Sequence, residues 1–310
     1  MSEAQTARPT IGAAVSWYEA SARTRLDLLL DPGSFVEFLG PQLRHVSPHL
    51  QLFDLPEQFD DGIVVGRGRL DDKDVLIAAQ EGRFMGGAFG EVHGAKLTGL
   101  LRAARDIKSM PVLILFDTGG VRLQEANAGE LAIAEIMRAV VEARLAGVKV
   151  VGLLGGRAGC YGGGGLIAGC CSALAISELG RLAVSGPEVI ETNRGVEEFD
   201  SRDRALVWRT MGGKNRRLLG AVDAFVDDTV ADFRGAAIEL LRTAETFGVE
   251  TLRAEQTRLE GRLQRFGSCK DALDVWGALG APEPKEIPSL SAARFIALAD
   301  ALQLPPHAAR

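Results

Sequence analysis

The chain has 310 residues, 46% hydrophobic and 25% charged, and its 35 Lys+Arg against 41 Asp+Glu give a formal charge of −6. Such a composition excludes a disordered chain, and at this length a fold buries roughly three-quarters of its unfolded surface without needing disulfide or metal staples. The acidic balance, with no basic cluster, sets nucleic acid aside as a partner; the apolar runs Pro111–Phe116 and Val148–Leu154 are far short of the ~20 residues of a membrane span.

In chain order, residues 16–30 read as a helix that Asp31-Pro32-Gly33 stops. Gly62–Leu70 and Val75–Gln80, joined by Asp71-Asp72, read as a β-hairpin. FMGGAFGEVHG then opens a helix through Arg105 whose inward face is expected to be the small residues Val92, Ala95, Gly99 and Ala103. Pro111–Phe116 is an all-apolar run of the buried parallel-strand kind. It is followed by a glycine loop at 117–120 and a helix near Gly129–Ala146 with a polar stripe at Glu135, Arg138 and Glu142. Lys149–Leu154 repeats the strand, a second glycine loop leads to a helix entrance at Leu166, and Ala173–Ile176 and Arg181–Val184 read as short strands. The tail beyond Asp232 is mostly helical, broken at Pro282–Pro284 and Pro305-Pro306. Strand–loop–helix units at crossover spacing predict an α/β fold with a mostly parallel sheet covered on both faces. The organisation expected is a helical or extended segment over 1–60, a core over 61–232 and a helical extension over 233–310.

Glycine is 37 of 310 residues, about 12% against an average near 7%. It is concentrated, with eight glycines in the fifteen residues 155–169. Two glycine loops, Thr118-Gly119-Gly120-Val121 and Gly162 to Gly165, sit at the C-terminal ends of expected parallel strands, where open α/β sheets bind ligands. A loop without side chains at a helix start presents bare N–H groups where the dipole favours negative charge. Two together suit an oxygen that becomes anionic, at about 3 kcal/mol of barrier per donor. Turn-making and tight packing are the plainer uses of the same glycines. No Gly-Lys-Ser/Thr follows either loop, which excludes a P-loop.

Other side chains carry less. Cys160, Cys170, Cys171 and Cys269 show no CxxC spacing, so neither zinc nor a disulfide framework is expected; Cys160 reads as a buried small hydrophobe rather than a nucleophile. His93 reads as packing or capping, and Ser185 lacks a nucleophile elbow. Arg122, Gln124 and Glu125 stand close enough to the first loop to reach a substrate, with an Arg–Glu helix-start pair as the alternative. Abundant backbone donors with few acids, bases or nucleophiles suit enolate chemistry on thioesters.

RTRLDLLLDPGSFVEF at 23–38, FMGGAFG at 84–90, TGGVRLQE at 118–125, the second glycine loop through SGPEVIE at 185–191, and LGAVDAFVD at 219–227 resemble, in order, motifs of the crotonase-like acyl-CoA carboxyltransferase family. Within it the chain is most similar to beta subunits of biotin-independent malonate decarboxylases. The resemblance implies a crotonase-like ββα superhelix in which Gly119-Gly120 and Gly163-Gly164 supply the two oxyanion-hole amides. It also implies that Phe84, Gly86 and Gly87 line the thioester channel; Arg122 and Tyr161, beside the two loops in sequence, are further expected substrate-binding residues. The implied reaction is decarboxylation of a malonyl thioester on an acyl carrier protein to the acetyl thioester. No cofactor or metal is bound by the chain itself. The thioester arm, of the phosphoribosyl-dephospho-CoA type with CoA as an analogue, comes on the carrier. The implied partners are a homologous gamma subunit, the carrier and an acyl-carrier transferase subunit. The implied compartment is the cytoplasm, since MSEAQTARPT lacks a signal-peptide pattern.

Acetyl-CoA carboxylase beta subunits carry an N-terminal four-cysteine zinc ribbon, whereas the first cysteine here is Cys160. The beta half of a biotin-dependent acyl-CoA carboxyltransferase is therefore the alternative function, and a non-catalytic scaffold is disfavoured by two entropically costly loops. On this reading, Gly163→Val or Gly164→Val is expected to cut turnover and leave the fold intact.

Overall fold

The structure, a computed structural model, describes residues 15–302, so the expected break at Pro305-Pro306 lies outside the described residues. Seven strands form one sheet in sequence order: β1 (Val36–Glu37), β2 (Ile63–Leu70), β3 (Lys73–Gln80), β4 (Val112–Phe116), β5 (Val150–Leu154), β6 (Ala173–Ser177) and β7 (Ala224–Val226). β1, β2 and β3 pair antiparallel, and every pairing from β3 to β7 is parallel. The β2–β3 turn is Asp71-Asp72, with φ of +54° and +60°. A two-residue hairpin turn with both φ positive favours glycine at its second position. Asp72→Gly is expected to raise stability by several tenths of a kcal/mol, read as a shift in denaturant midpoint.

The helices are α1 (Ala22–Leu29), α2 (Pro48–Leu52), α3 (Glu91–Ile107), α4 (Asn127–Leu145), α5 (Gly163–Cys170), α6 (Pro187–Arg194), α7 (Arg204–Met211), α8 (Gly213–Leu218), α9 (Val230–Thr243), α10 (Val249–Phe266), α11 (Ala272–Ala278) and α12 (Ala292–Ala301). None among the described residues is long and apolar enough to cross a membrane.

Alternation along the central strands explains why they read as unbroken apolar runs. Val112, Ile114 and Phe116 face one core, with Leu97 and Leu101 of α3 and Ile136 and Val140 of α4. Leu113 and Leu115, with Val151 and Leu153 of β5, face a second core closed by Trp17, α1 and α9. Both faces are buried, so no polar residue interrupts the period of two. Trp17 stacks on Phe233 of α9 at 4.1 Å between ring centroids. The boundaries at 60/61 and 232/233 therefore cut through packing, because α1 and α9 cover one face of the sheet together.

Past the sheet, the strand ends continue into a second set of pairings: Phe89 with Val121, Thr118 with Cys160, and Cys160 with Leu182. Each repeat thus gives one strand to the sheet, one extended piece to this layer and then a helix, which is the ββα superhelix. Arg181 to Val184 contribute bridges here rather than the regular strand expected.

Two other expectations need correction. The first helix begins at Ala22, where Ser21 accepts a hydrogen bond from the Thr24 N–H; Ser16 instead bridges to Thr229. The small residues of α3 do not face inward. His93, Gly94, Leu97, Leu100, Leu101 and Ala104 are the buried stripe. Gly94 is the close approach, against Ala132 of α4. Val92, Ala95, Gly99 and Ala103 line a groove of about 450 Å³ on the open side, with Phe38 and His45. The polar stripe of α4 does lie outward, where Glu135 and Glu142 pair with Arg102 and Arg105 of α3 at 2.6 and 2.7 Å.

Candidate active site

The two glycine loops meet. Parallel pairing carries the ends of β4 and β5 forward side by side: the Thr118 N–H donates to Gly159 O at 2.8 Å and the Tyr161 N–H to Thr118 O at 3.0 Å. One step further, a Cβ built on Gly162 would lie 3.3 Å from the Gly120 Cα, so the two bends touch backbone to backbone. Gly120 has φ +128° and Gly162 φ +54°, both in the region that favours glycine.

The donors differ from those expected. The Gly119 N–H is taken by Gly86 O at 2.7 Å, the Gly120 N–H by Thr118 Oγ1 at 3.1 Å, and the Gly164 N–H by Tyr161 O at 2.9 Å. Of the four glycines singled out, Gly163 alone has an N–H with no acceptor among the described residues, and Gly162 beside it is in the same state. On the first loop the open N–H belongs to Val121. Phe89 N–H bonds Gly120 O and Arg122 N–H bonds Phe89 O, so alternation turns the Val121 N–H away from Phe89, and it has no acceptor among the described residues. Gly163 and Gly164 also make space: a Cβ on Gly163 would collide with Ile133 of α4, and one on Gly164 with Thr118.

A buried polar frame holds the loops. Asp117, at the end of β4, accepts from Arg25 Nη1 at 2.9 Å and from the Ala158 N–H at 2.7 Å, tying the first loop to the second. Arg25 and Asp117 are 1% and 3% exposed, and Gly82 and Gly156 make room for the carboxylate. Gln80 completes the frame by accepting from the Asp117 N–H at 3.2 Å and offering its amide nitrogen to His93 Nε2 at 3.1 Å. His93 Nδ1 faces the Asp61 carbonyl at 3.1 Å, so the proton sits on Nδ1 and Nε2 accepts.

Burial first, then the charge of Arg122, hold the His93 imidazole well below its ordinary pKa and keep it neutral. Below an ordinary value of about 6.5 the unfolded chain takes up a proton that the folded chain refuses. This contribution to stability is therefore full above that pH and falls as the pH drops toward the folded value. His93→Met is expected to be less stable at pH 7.5 yet to show a flatter acid slope in denaturant midpoints between pH 7.5 and 5.

Arg122 does not reach for substrate. It is 1% exposed, with Nη1 at 2.9 Å from Asp61 and 3.0 Å from Glu125. Burial pushes the Asp61 carboxyl up despite Arg122. Burial also raises Glu125, but the Glu91 N–H and Arg122 more than offset it. The Arg–Glu pair is thus structural, with Asp61 as a third member separated by 61 positions in sequence. Phe84, 8% exposed, roofs this cluster, 5.2 Å from the Arg122 guanidinium. Gly87 is buried against the Asp117 carbonyl, while Gly86 is exposed at φ +63° beside the first loop. Tyr161 is 6% exposed, packed on Phe199, Val207 and Met211. Cys160 is fully buried; burial, then Cys171 and Asp117, push its thiol well above the usual range, which fits a packed hydrophobe and not a nucleophile.

Val121, Gly162 and Gly163 are half-buried, and Leu123 and Leu131, which follow the first loop in sequence, are 82% and 65% exposed. A ββα superhelix with touching glycine bends at the carboxyl edge of its sheet defines the crotonase-like class. The carboxyl transferase domain model matches residues 19–215, and the chain belongs to that family. It is similar to malonyl-S-ACP:biotin-protein carboxyltransferase MADC of Malonomonas rubra, 38% identical with 93% of this chain and 96% of the relative covered. Among solved structures it is similar to a chain of the Pseudomonas malonate decarboxylase hetero-tetramer in complex with malonate, with a TM-score of 0.77 at 39% identity, covering 85% of this chain and 97% of that one. It is also similar to a chain of the Pseudomonas MdcD-MdcE hetero-dimer, with a TM-score of 0.65 at 35% identity, covering 84% and 100%.

Proposed function

We propose that this chain is the decarboxylating subunit of a malonate decarboxylase, acting on a malonyl thioester carried by an acyl carrier protein. The contact between the two glycine bends, with unpartnered N–H groups on each, carries the reading. The malonyl thioester carbonyl oxygen lies among the Val121, Gly162 and Gly163 amides. The bond from the α-carbon to the carboxyl carbon breaks, carbon dioxide leaves, and the electron pair moves onto the carbonyl oxygen as an enolate. Fixed amides stabilise that charge without reorganising. Protonation at the α-carbon then gives the acetyl thioester.

Because the amides of Val121, Gly162 and Gly163 are only half-buried, a second wall is required to exclude water and to hold the proton donor. A homologous gamma subunit in a cytoplasmic heteromer supplies both, in keeping with the hetero-tetramer and hetero-dimer that its structural relatives form. The carrier brings the thioester arm, a transferase subunit loads it, and the chain itself binds no cofactor or metal.

A second reading has support from the Malonomonas relative, a biotin-protein carboxyltransferase. The same enolate then forms as the carboxyl group passes to biotin. Incubating the purified complex with malonyl carrier protein, with and without biotinylated acceptor, separates the two. Acetyl carrier protein and free carbon dioxide without biotin support decarboxylation; turnover that requires the acceptor and yields carboxybiotin supports transfer.

A further inference from the structure

On the flank of α5, beyond the glycine site, a cavity of about 460 Å³ lies between that helix, the 182–184 segment and α10. Three arginines line it, Arg216, Arg258 and Arg262, against one carboxylate, Glu255. Arg258 is committed to Glu255 at 2.5 Å, and Arg262 donates to Leu219 O at 3.1 Å. Arg216 is different. Its Nε is buried with no acceptor, and no carboxylate pairs with its guanidinium, among the described residues. The residue as a whole is half-buried, so its guanidinium is only partly hydrated and gains from an anion placed in the cavity. The other walls include Leu166, Leu182, Val184 and Leu259, which lower the local dielectric and strengthen any charge pair formed there.

We propose that this cavity is an anion subsite, in which Arg216 pairs with the carboxylate or phosphate group of a small ligand. The net charge of its lining side chains is positive, and burial together with Arg262 pushes Arg216 down to about 10, so it remains a cation at neutral pH. Gly165 lines the cavity two residues beyond Gly163, about 3 Å along the helix, so an occupant sits next to the enolate site without filling it. The inference goes beyond the thioester reading and stands without it, because its readout is equilibrium binding.

Isothermal titration of the purified full-length protein with malonate and, separately, with inorganic phosphate tests it. Saturable binding is expected, weakened at least tenfold in Arg216→Gln and strengthened about threefold in Glu255→Gln, which releases Arg258. Binding of malonate alone marks a carboxylate ligand, and binding of phosphate alone a phosphorylated one. If neither anion saturates the wild-type protein, or Arg216→Gln binds as the wild type does, the subsite does not exist. Should circular dichroism show Arg216→Gln unfolded, Glu255→Gln decides: tighter binding supports the subsite and unchanged binding overturns it.

Discussion

Gly162→Ala is expected to lower turnover of malonyl carrier protein by a hundredfold or more while leaving a folded protein. The residue sits at φ +54°, ψ −128°, a conformation that costs a side-chain-bearing residue about 1–3 kcal/mol. Relief of that strain rotates the peptide planes on either side, and with them the Gly162 and Gly163 N–H groups. The new methyl also lies 3.3 Å from the Gly120 Cα, prising the two bends apart. One oxyanion donor is worth about 3 kcal/mol, so losing the alignment of one accounts for a hundredfold and of two for more. The assay is paired with far-UV circular dichroism and a thermal melt. A folded variant with undiminished turnover removes these bends from the chemistry. Gly163→Val and Gly164→Val are poorer probes than their sequence positions suggest, because added side chains there collide with Ile133 and Thr118 and disturb the start of α5.

The largest loss of stability is expected at Arg122→Met. The substitution keeps much of the apolar bulk but leaves Asp61 and Glu125, whose side chains are both fully buried, without their cation. Removing one member of such a buried set costs about 3–5 kcal/mol, a large share of the 5–15 kcal/mol that holds a typical domain together. Denaturant midpoints measure it. Adding Asp61→Asn to Arg122→Met is expected to recover part of the loss, since it removes one stranded charge, and the double-mutant cycle gives the coupling. Full additivity would mean that the two side chains do not communicate.

What the sequence disclosed and what it hid follow from range. Apolar runs such as 112–116, the Asp71-Asp72 hairpin and the glycine clusters are local patterns, and the elements they predict stand where expected. The meeting of the two glycine bends was legible because parallel strands that end level deliver their loops to the same edge. The donor assignment was not legible. Whether an amide is free depends on acceptors such as Gly86 O, over thirty positions away, and on a threonine hydroxyl within the loop itself. Arg122 misled for the same reason: its partner Asp61 belongs to an earlier repeat. The outward turn of Val92, Ala95, Gly99 and Ala103 has another cause. Leu97, Leu101 and Ala104 form the stronger apolar stripe on the same helix, and the sheet takes that stripe.

Strands that join the sheet in the order of their synthesis allow each repeat to settle on the one before it as the chain emerges from the ribosome. The second core is the exception. Trp17 and α1 find Phe233 and Asp228 only after more than two hundred further residues have been made. Until α9 arrives, a nascent chain presents Leu113, Leu115, Val151 and Leu153 on a sheet face lacking half its cover, an adhesive intermediate. Translation that stalls before residue 230 therefore leaves a chaperone client or a degradation substrate rather than a smaller working enzyme.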